Sequence, residues 1–170
     1  RKAHATHPIA AVQTEYSLWK RNPAIAVLQA CKDLGVAFVA FSPVARGFLC
    51  GAMDVSAFDA KDIRRSMPRF APENYAANFK LLPVYNTLAK EVGCSPSQLA
   101  LAWLLARGEH IIPIPGTTRV EHLMDDLGAA DVKLGTDVMA RLDALINEKT
   151  VVGERYNAQG TSEVDTENFV

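Results

Sequence analysis

Cysteine is scarce and poorly placed for cross-linking: Cys31, Cys50 and Cys94 are odd in number, far apart, and form no C-x-x-C pair. That excludes a disulfide framework and a zinc clasp, and it predicts a reducing, cytoplasmic setting. Neither sign of charge dominates. With 18 Lys and Arg against 19 Asp and Glu, the net charge of −1 argues against nucleic acid or an anionic membrane as the main partner. No apolar run approaches the roughly 18 residues that span a bilayer, and no signal peptide is visible. The G-x-G-x-x-G spacing of a dinucleotide-binding Rossmann turn is missing. His4 and His7 have no Cys or carboxylate ligand beside them, so they read as solvated rather than as metal ligands.

What the chain does have is material for a core, 49% apolar residues against 22% charged. The apolar residues fall in short runs that end in polar turns. Ile111-Ile-Pro-Ile-Pro-Gly-Thr-Thr-Arg119 is the most informative. A strand delivers Pro115 and Gly116 to one rim of a sheet, and Gly116 lets the backbone approach a ligand. Thr117 or Thr118 is expected to cap the next helix, whose free N–H groups face an anion, with Arg119 adding a planar cation. Val36 to Phe41 ends in the same way, in Ser42-Pro-Val-Ala-Arg-Gly47 and then Phe48-Leu-Cys-Gly51. A third run, Ile9 to Val12, predicts a strand over 9–13 and ends in Gln13-Thr-Glu-Tyr-Ser-Leu-Trp19. Three such endings predict one functional rim.

Between them the apolar spacing predicts helices. Pro23 starts one, and Ala24, Val27, Leu28, Cys31 and Leu34 supply its stripe. A single helix is predicted over 73–92, with Pro83 kinking it or near its first turn. Ser95 and Pro96 open an apolar helix that buries Trp103. Further helices are expected near 119–129 and from Gly135. The connection over 42–72 reads as a long loop whose Lys61–Arg65 charges are solvated, and 151–170 as an irregular tail. The order β-α-β-α-α-β-α-α predicts parallel strands covered by helices. Three strands would leave both sheet edges open, so the chain is expected to be part of a larger α/β unit.

Val12–Trp19, Phe41–Gly51, Ile112–Arg119 and the tail motif Gly153-Glu-Arg-Tyr156 together resemble the aldo-keto reductase family, bacterial members in particular, in order and spacing over nearly the whole chain. The resemblance implies strands six to eight of a (β/α)8 TIM barrel, with residues 1–170 the C-terminal part of one barrel domain. It also implies NADP(H) held at the carboxyl rim and a small aldehyde or ketone as substrate. By motif, Gln13 would bond the nicotinamide carboxamide and Phe41 would stack on the ring. Ser42, Pro43, Val44, Gly47 and Leu49 would line the pyrophosphate, with Arg46 a weaker candidate. Pro115, Gly116, Thr117 and Arg119 would hold the 2′-phosphate. Asp125 and Asp126 stand where the family has a Glu-Asn pair on adenine, and Asp126 lacks the amide donor. Tyr16 and Trp19 would face the substrate.

The family's catalytic Asp, Tyr, Lys and His lie on earlier strands, and nothing here has their sequence context. The resemblance therefore implies no catalytic residue in this chain, and a missing N-terminal part of the barrel as its partner. The alternative is a truncated or non-catalytic NADP(H)-binding or sensing member of the same family.

Overall fold

A computed structural model describes residues 1–51 and 53–169; Ala52, in the 42–72 connection, and Val170, at the end of the tail, lie outside it. The chain opens with a short helix, α1 (Lys2–Thr6), before the first strand, β1 (Ala11–Glu15). The strand starts two residues later than expected. The Ile9 N–H donates to His4 Nδ1 (3.2 Å) instead of entering the sheet, so His4 has a partner and is not merely solvated. Helix α2 (Val27–Leu34) leads to β2 (Ala37–Phe41). The 42–72 connection is not one irregular loop. Among its described residues are a sharp, partly left-handed turn over Ala45–Cys50 and 3₁₀ turns at Val55–Ala57, Ile63–Ser66 and Pro68–Phe70.

The expected long helix is two, α3 (Pro72–Phe79) and α4 (Leu82–Val92). Pro83 falls in the first turn of α4, where its missing N–H costs nothing, and the chain breaks ahead of it. Phe79, counted toward the core by spacing, ends at the break and is 41% exposed. Helix α5 (Pro96–Leu105) precedes β3 (Ile111–Ile114), followed by α6 (Val120–Gly128), α7 (Thr136–Leu145) and a short α8 (Ala158–Ser162) within the tail. Among the described residues, no helix is long and apolar enough to cross a membrane.

The three strands are parallel, in the order β1-β2-β3. Phe38, Ala40 and Ile111 point to the helical side and are buried with Trp103, Leu99, Leu104 and Tyr16. The opposite face is open except at its rim, where Arg155 covers Glu15 and lies over Phe41. There Gln13, Val39 and Ile112 form one row and Glu15, Phe41 and Ile114 the next; Ile112 and Ile114 are 48% and 42% exposed. Helix α6 also shows an open apolar stripe, Val120, Leu123, Met124 and Leu127.

Two polar devices fix the helical layer. Ser95 accepts the Gln98 N–H (3.1 Å), while Gln98 accepts the Ser95 N–H (3.0 Å), a reciprocal cap on α5. Asp143 of α7 accepts from Trp103 Nε1 (3.0 Å) and pairs with Arg21 (3.1 Å) and Arg107. That ties the segment after β1 to the last core helix. Ser95→Ala is expected to lower unfolding stability by about 1 kcal/mol. Urea denaturation checks it, and an unchanged midpoint would mean the cap contributes nothing.

Candidate functional site

The strand ends build a groove. After β2 the backbone turns sharply, and three non-glycine residues within five positions take left-handed conformations: Ser42 (φ 50°), Ala45 (φ 53°) and Arg46 (φ 56°). Each costs on the order of 1–2 kcal/mol. The turn is held by Ala45 N–H to Ser42 O (2.9 Å) and Leu49 N–H to Val44 O (3.2 Å), and by the complete burial of Phe48 and Leu49. Phe48 packs against Trp19, ring centroids 4.0 Å apart. Gly47 (φ 93°) completes the turn, and a Cβ there would come within 3.3 Å of Met53 Sδ. Strain of this density, at the carboxyl end of a parallel strand, persists only because the packing around Phe48 and Leu49 over-determines it.

The groove encloses about 860 Å³, within the usual range of ligand sites. Phe41, Ser42, Pro43, Val44, Arg46 and Gly47 form one wall; Gly116, Thr117, His122, Asp125 and Asp126 form the other. Arg64 closes one side. Its guanidinium is held by Asp62 (2.6 Å) and the Arg46 carbonyl (3.1 Å) and lies 4.0 Å from the Phe58 ring centroid. Hydrogen bonds from Arg64 hold the Asp62 carboxyl below its ordinary range. Burial, reinforced by the neighbouring Asp125, pushes the Asp126 carboxyl up. Asp125 itself accepts the Ser95 hydroxyl (2.7 Å), so its charge is partly used by the cap of α5.

Several expected positions fall elsewhere. Leu49 is fully buried, its side chain anchoring the turn rather than lining it. Pro115 is off the groove wall. Gln13 lies on the open sheet face that Phe41 shares, two residues back from the rim, and not in the groove. Tyr16 and Trp19 are core residues, 2% and 5% exposed, because β1 ends at Glu15 and the next turn folds both rings under the helices. Neither threonine caps α6. Arg119 occupies the N-cap position, and Thr117 Oγ1 accepts the Arg119 N–H (3.2 Å) in a local turn. Arg119 is 64% exposed, 3.5 Å from Glu121, and outside the wall, though in sequence it falls between the wall residues Thr117 and His122.

Sequence reasoning missed two features. Arg64, read as a solvated loop charge, is a wall residue; Asp62-x-Arg64, a carboxylate two residues before a cation, was the only local signal for its fixed position. The other is Glu15, 5% exposed, which accepts from Arg155 Nε (2.9 Å) and Arg46 (3.3 Å). It links the rim of β1, the strained turn and the tail, and Arg155 in turn lies 5.5 Å from the Phe41 ring centroid. The tail is therefore tied down over its first residues, and among the described residues it is irregular on both sides of α8. Asn78 bonds both backbone groups of Val152, and Arg69 donates to Gly153 O. Gly153 (φ 92°) lies so close to Arg69 that a Cβ would meet its backbone at 3.1 Å.

The donor set suits a phosphorylated nucleotide with a flat ring. Arg46 and Arg64 provide cations, Ser42 and Thr117 hydroxyls, Gly47 and Gly116 close backbone approach, and Phe41 an aromatic face.

A family model described as the aldo/keto reductase family matches residues 1–147. Among solved structures, the chain is similar to a thermostable aldo-keto reductase, Tm1743, crystallised with the inhibitor epalrestat, at 28% identity and a TM-score of 0.59, over 85% of this chain and 43% of that one. It is also similar in fold to the glycerol dehydrogenase AKR11B4 from Gluconobacter oxydans, at 22% identity and a TM-score of 0.75, over 87% of this chain and 45% of that one. The chain spans less than half the length of either structure.

Proposed function

The chain belongs to the aldo/keto reductase family, and on that premise we propose that it is the cofactor-holding part of a cytoplasmic, NADP(H)-dependent oxidoreductase that reduces small aldehydes or ketones to alcohols. On this reading β1, β2 and β3 are strands six to eight of a (β/α)8 barrel. Their open face and edges belong against an N-terminal portion carrying the earlier strands. The helices on one face only of a parallel sheet support it.

The observation that carries the reading is the convergence of Phe41, Ser42, Val44 and Gly47 after β2 with Gly116 and Thr117 after β3 along a single groove. When bound, the nicotinamide cofactor supplies the hydride for the carbonyl carbon. This chain's residues bind and orient. Phe41 offers a ring face, Arg46 and Arg64 meet phosphate charge, and Arg119 confers preference for a 2′-phosphate. Gln13, on the face that Phe41 shares, would bond the carboxamide. Asp125 and Asp126 oppose that preference by placing carboxylates on the same wall. The proton for the alcohol comes from a group outside this chain.

The test titrates NADPH and NADH by fluorescence against two variants. Charge-assisted hydrogen bonds contribute about 1.5–3 kcal/mol each when well formed. The exposure of Arg119 and its weak pairing with Glu121 reduce this, so Arg119→Ala is expected to weaken NADPH about tenfold and leave NADH nearly unchanged. Arg64→Ala is expected to weaken both alike. Equal loss of both cofactors in Arg119→Ala, or no loss, removes Arg119 as the 2′-phosphate ligand.

A second reading, a non-catalytic NADP(H)-binding or sensing member, shares this groove with the first and differs only in the acid, which neither the Tyr75 nor the Tyr85 hydroxyl supplies. Tyr75 and Tyr85 commit their hydroxyls to backbone carbonyls, Met53 O (2.8 Å) and Pro96 O (2.6 Å), leaving neither free as an acid. Binding of NADPH by the longer polypeptide with no turnover of any aldehyde would select it.

A further inference from the structure

A second cleft, of about 270 Å³, opens at the rim of β1 and shares no lining residue with the groove. Thr14, Glu15, Lys20, Asn22 and Arg155 line it, together with tail residues 165–167. Lys20 is its chemically distinctive member. Its backbone is locked by a reciprocal pair of hydrogen bonds with Ser17, both 3.1 Å, immediately after β1. The side chain is half-buried, and among the described residues its Nζ has neither a hydrogen bond nor an ion pair. Of the carboxylates that act on it, Glu15 is already taken by Arg46 and Arg155. Arg69 and Arg155 add like charge beside Lys20. An amine on a fixed backbone, partly desolvated in a cleft, beside other cations and with its Nζ bonded to no carboxylate among the described residues, has the environment that turns lysine into a nucleophile.

We propose that Lys20 is a carbonyl-reactive amine that forms a reversible imine with small uncharged aldehydes entering this cleft. The neutral amine adds to the carbonyl carbon, and the resulting carbinolamine loses one water to leave the C=N bond. Nothing is oxidised or reduced, and the ammonium proton passes to solvent beforehand. Uncharged ligands fit because the walls carry Lys20 and Arg155 against Glu15, Asp165 and Glu167, which gives an anion no net attraction. Burial, then Arg69 and Arg155, bring the Lys20 ammonium down to about 8 from an ordinary value near 10.5, with Glu15 and Glu154 opposing. At about pH 7.5 roughly a quarter of Lys20 is then neutral, against about a thousandth of an ordinary lysine.

The protein is incubated with benzaldehyde and sodium cyanoborohydride, digested, and its benzylated lysines quantified by mass spectrometry. At about pH 7.5, Lys20 is expected to be labelled at least about tenfold faster than exposed Lys61 and Lys133, and this lead is expected to shrink as the pH rises from about 8 towards about 10, where ordinary lysines also become neutral. The lead is expected to vanish when the chain is unfolded in urea. Labelling of Lys20 no faster than Lys61 and Lys133, or a lead that survives urea, overturns the proposal.

Discussion

The 170-residue chain, purified alone, is expected to oxidise no NADPH with any aldehyde above background. A positioned general acid contributes about 10²–10⁴ to such a rate, and catalytic groups that act as a unit are lost together. Tyr75 and Tyr85 have committed hydroxyls, and none of the four tyrosines lines the groove. Tyr16 is packed edge-on against Phe38 and beside Trp103, and burial raises its hydroxyl above the ordinary range. Tyr75 donates to Met53 O and accepts the Met53 N–H. Tyr85 is fully buried, its hydroxyl pushed well up, and donates to Pro96 O. Tyr156 lies under the Arg155 guanidinium, 4.3 Å from its ring centroid. His122 is on the groove wall, but it shares α6 with Asp125 and Asp126, the segment assigned to the adenosine end.

The same preparation is expected to self-associate. Ile112 and Ile114 on the open sheet face, and Val120, Leu123, Met124 and Leu127 on α6, form apolar surface of a kind that monomers rarely leave exposed. Size-exclusion chromatography with light scattering, followed by a coupled absorbance assay, tests both expectations. A monodisperse monomer that oxidises NADPH with an aromatic aldehyde would refute them together.

The parts of this arrangement that were legible in the sequence are those set by neighbours along the chain. Ser95-Pro-Ser-Gln98 declares its own helix start, and the apolar runs ending in Phe41-Ser-Pro and Ile114-Pro-Gly declare strand ends. The resemblance then orders those ends into a rim. What was illegible depends on distant partners. The apolar run from Ile9 enters the strand only at Ala11, because the Ile9 N–H is taken by His4, five residues before it. Trp19 and Tyr16 look like pocket aromatics by motif, but Phe48, Phe70 and Trp103 claim their surfaces. Nothing near Glu15 reveals that its partners lie 31 and 140 residues away. Hydrophobic spacing reports which face of an element is buried. It does not report which buried carboxylate holds two elements together.

That carboxylate carries the largest expected effect on stability. The side chains of Glu15, Arg155 and Arg46 are 6%, 10% and 18% exposed, so removing the anion leaves two guanidiniums desolvated and facing each other, with Arg69 and Lys20 close by. Breaking a buried pair from one side typically costs about 3–5 kcal/mol, a large share of the about 5–15 kcal/mol that holds a domain folded. Glu15→Gln is expected to lose about 3 kcal/mol, since the amide oxygen still accepts a hydrogen bond while the charge is gone. Arg155→Gln is expected to lose less, because Glu15 keeps Arg46 and one mutually repelling cation is removed. The tail should loosen in both variants, so limited proteolysis beyond Gly153 is expected to speed up even where the core survives. NADPH should also bind less well, because Arg46 then has no carboxylate to hold it in its left-handed turn on the groove wall. The decisive measurement is the double-mutant cycle by urea denaturation. Coupling of about 1–3 kcal/mol between Glu15→Gln and Arg155→Gln identifies a true latch. Strictly additive losses, with the tail cleaved no faster than in the parent, would mean that Glu15 and Arg155 merely lie side by side and that the tail is held by Asn78 and Arg69 alone.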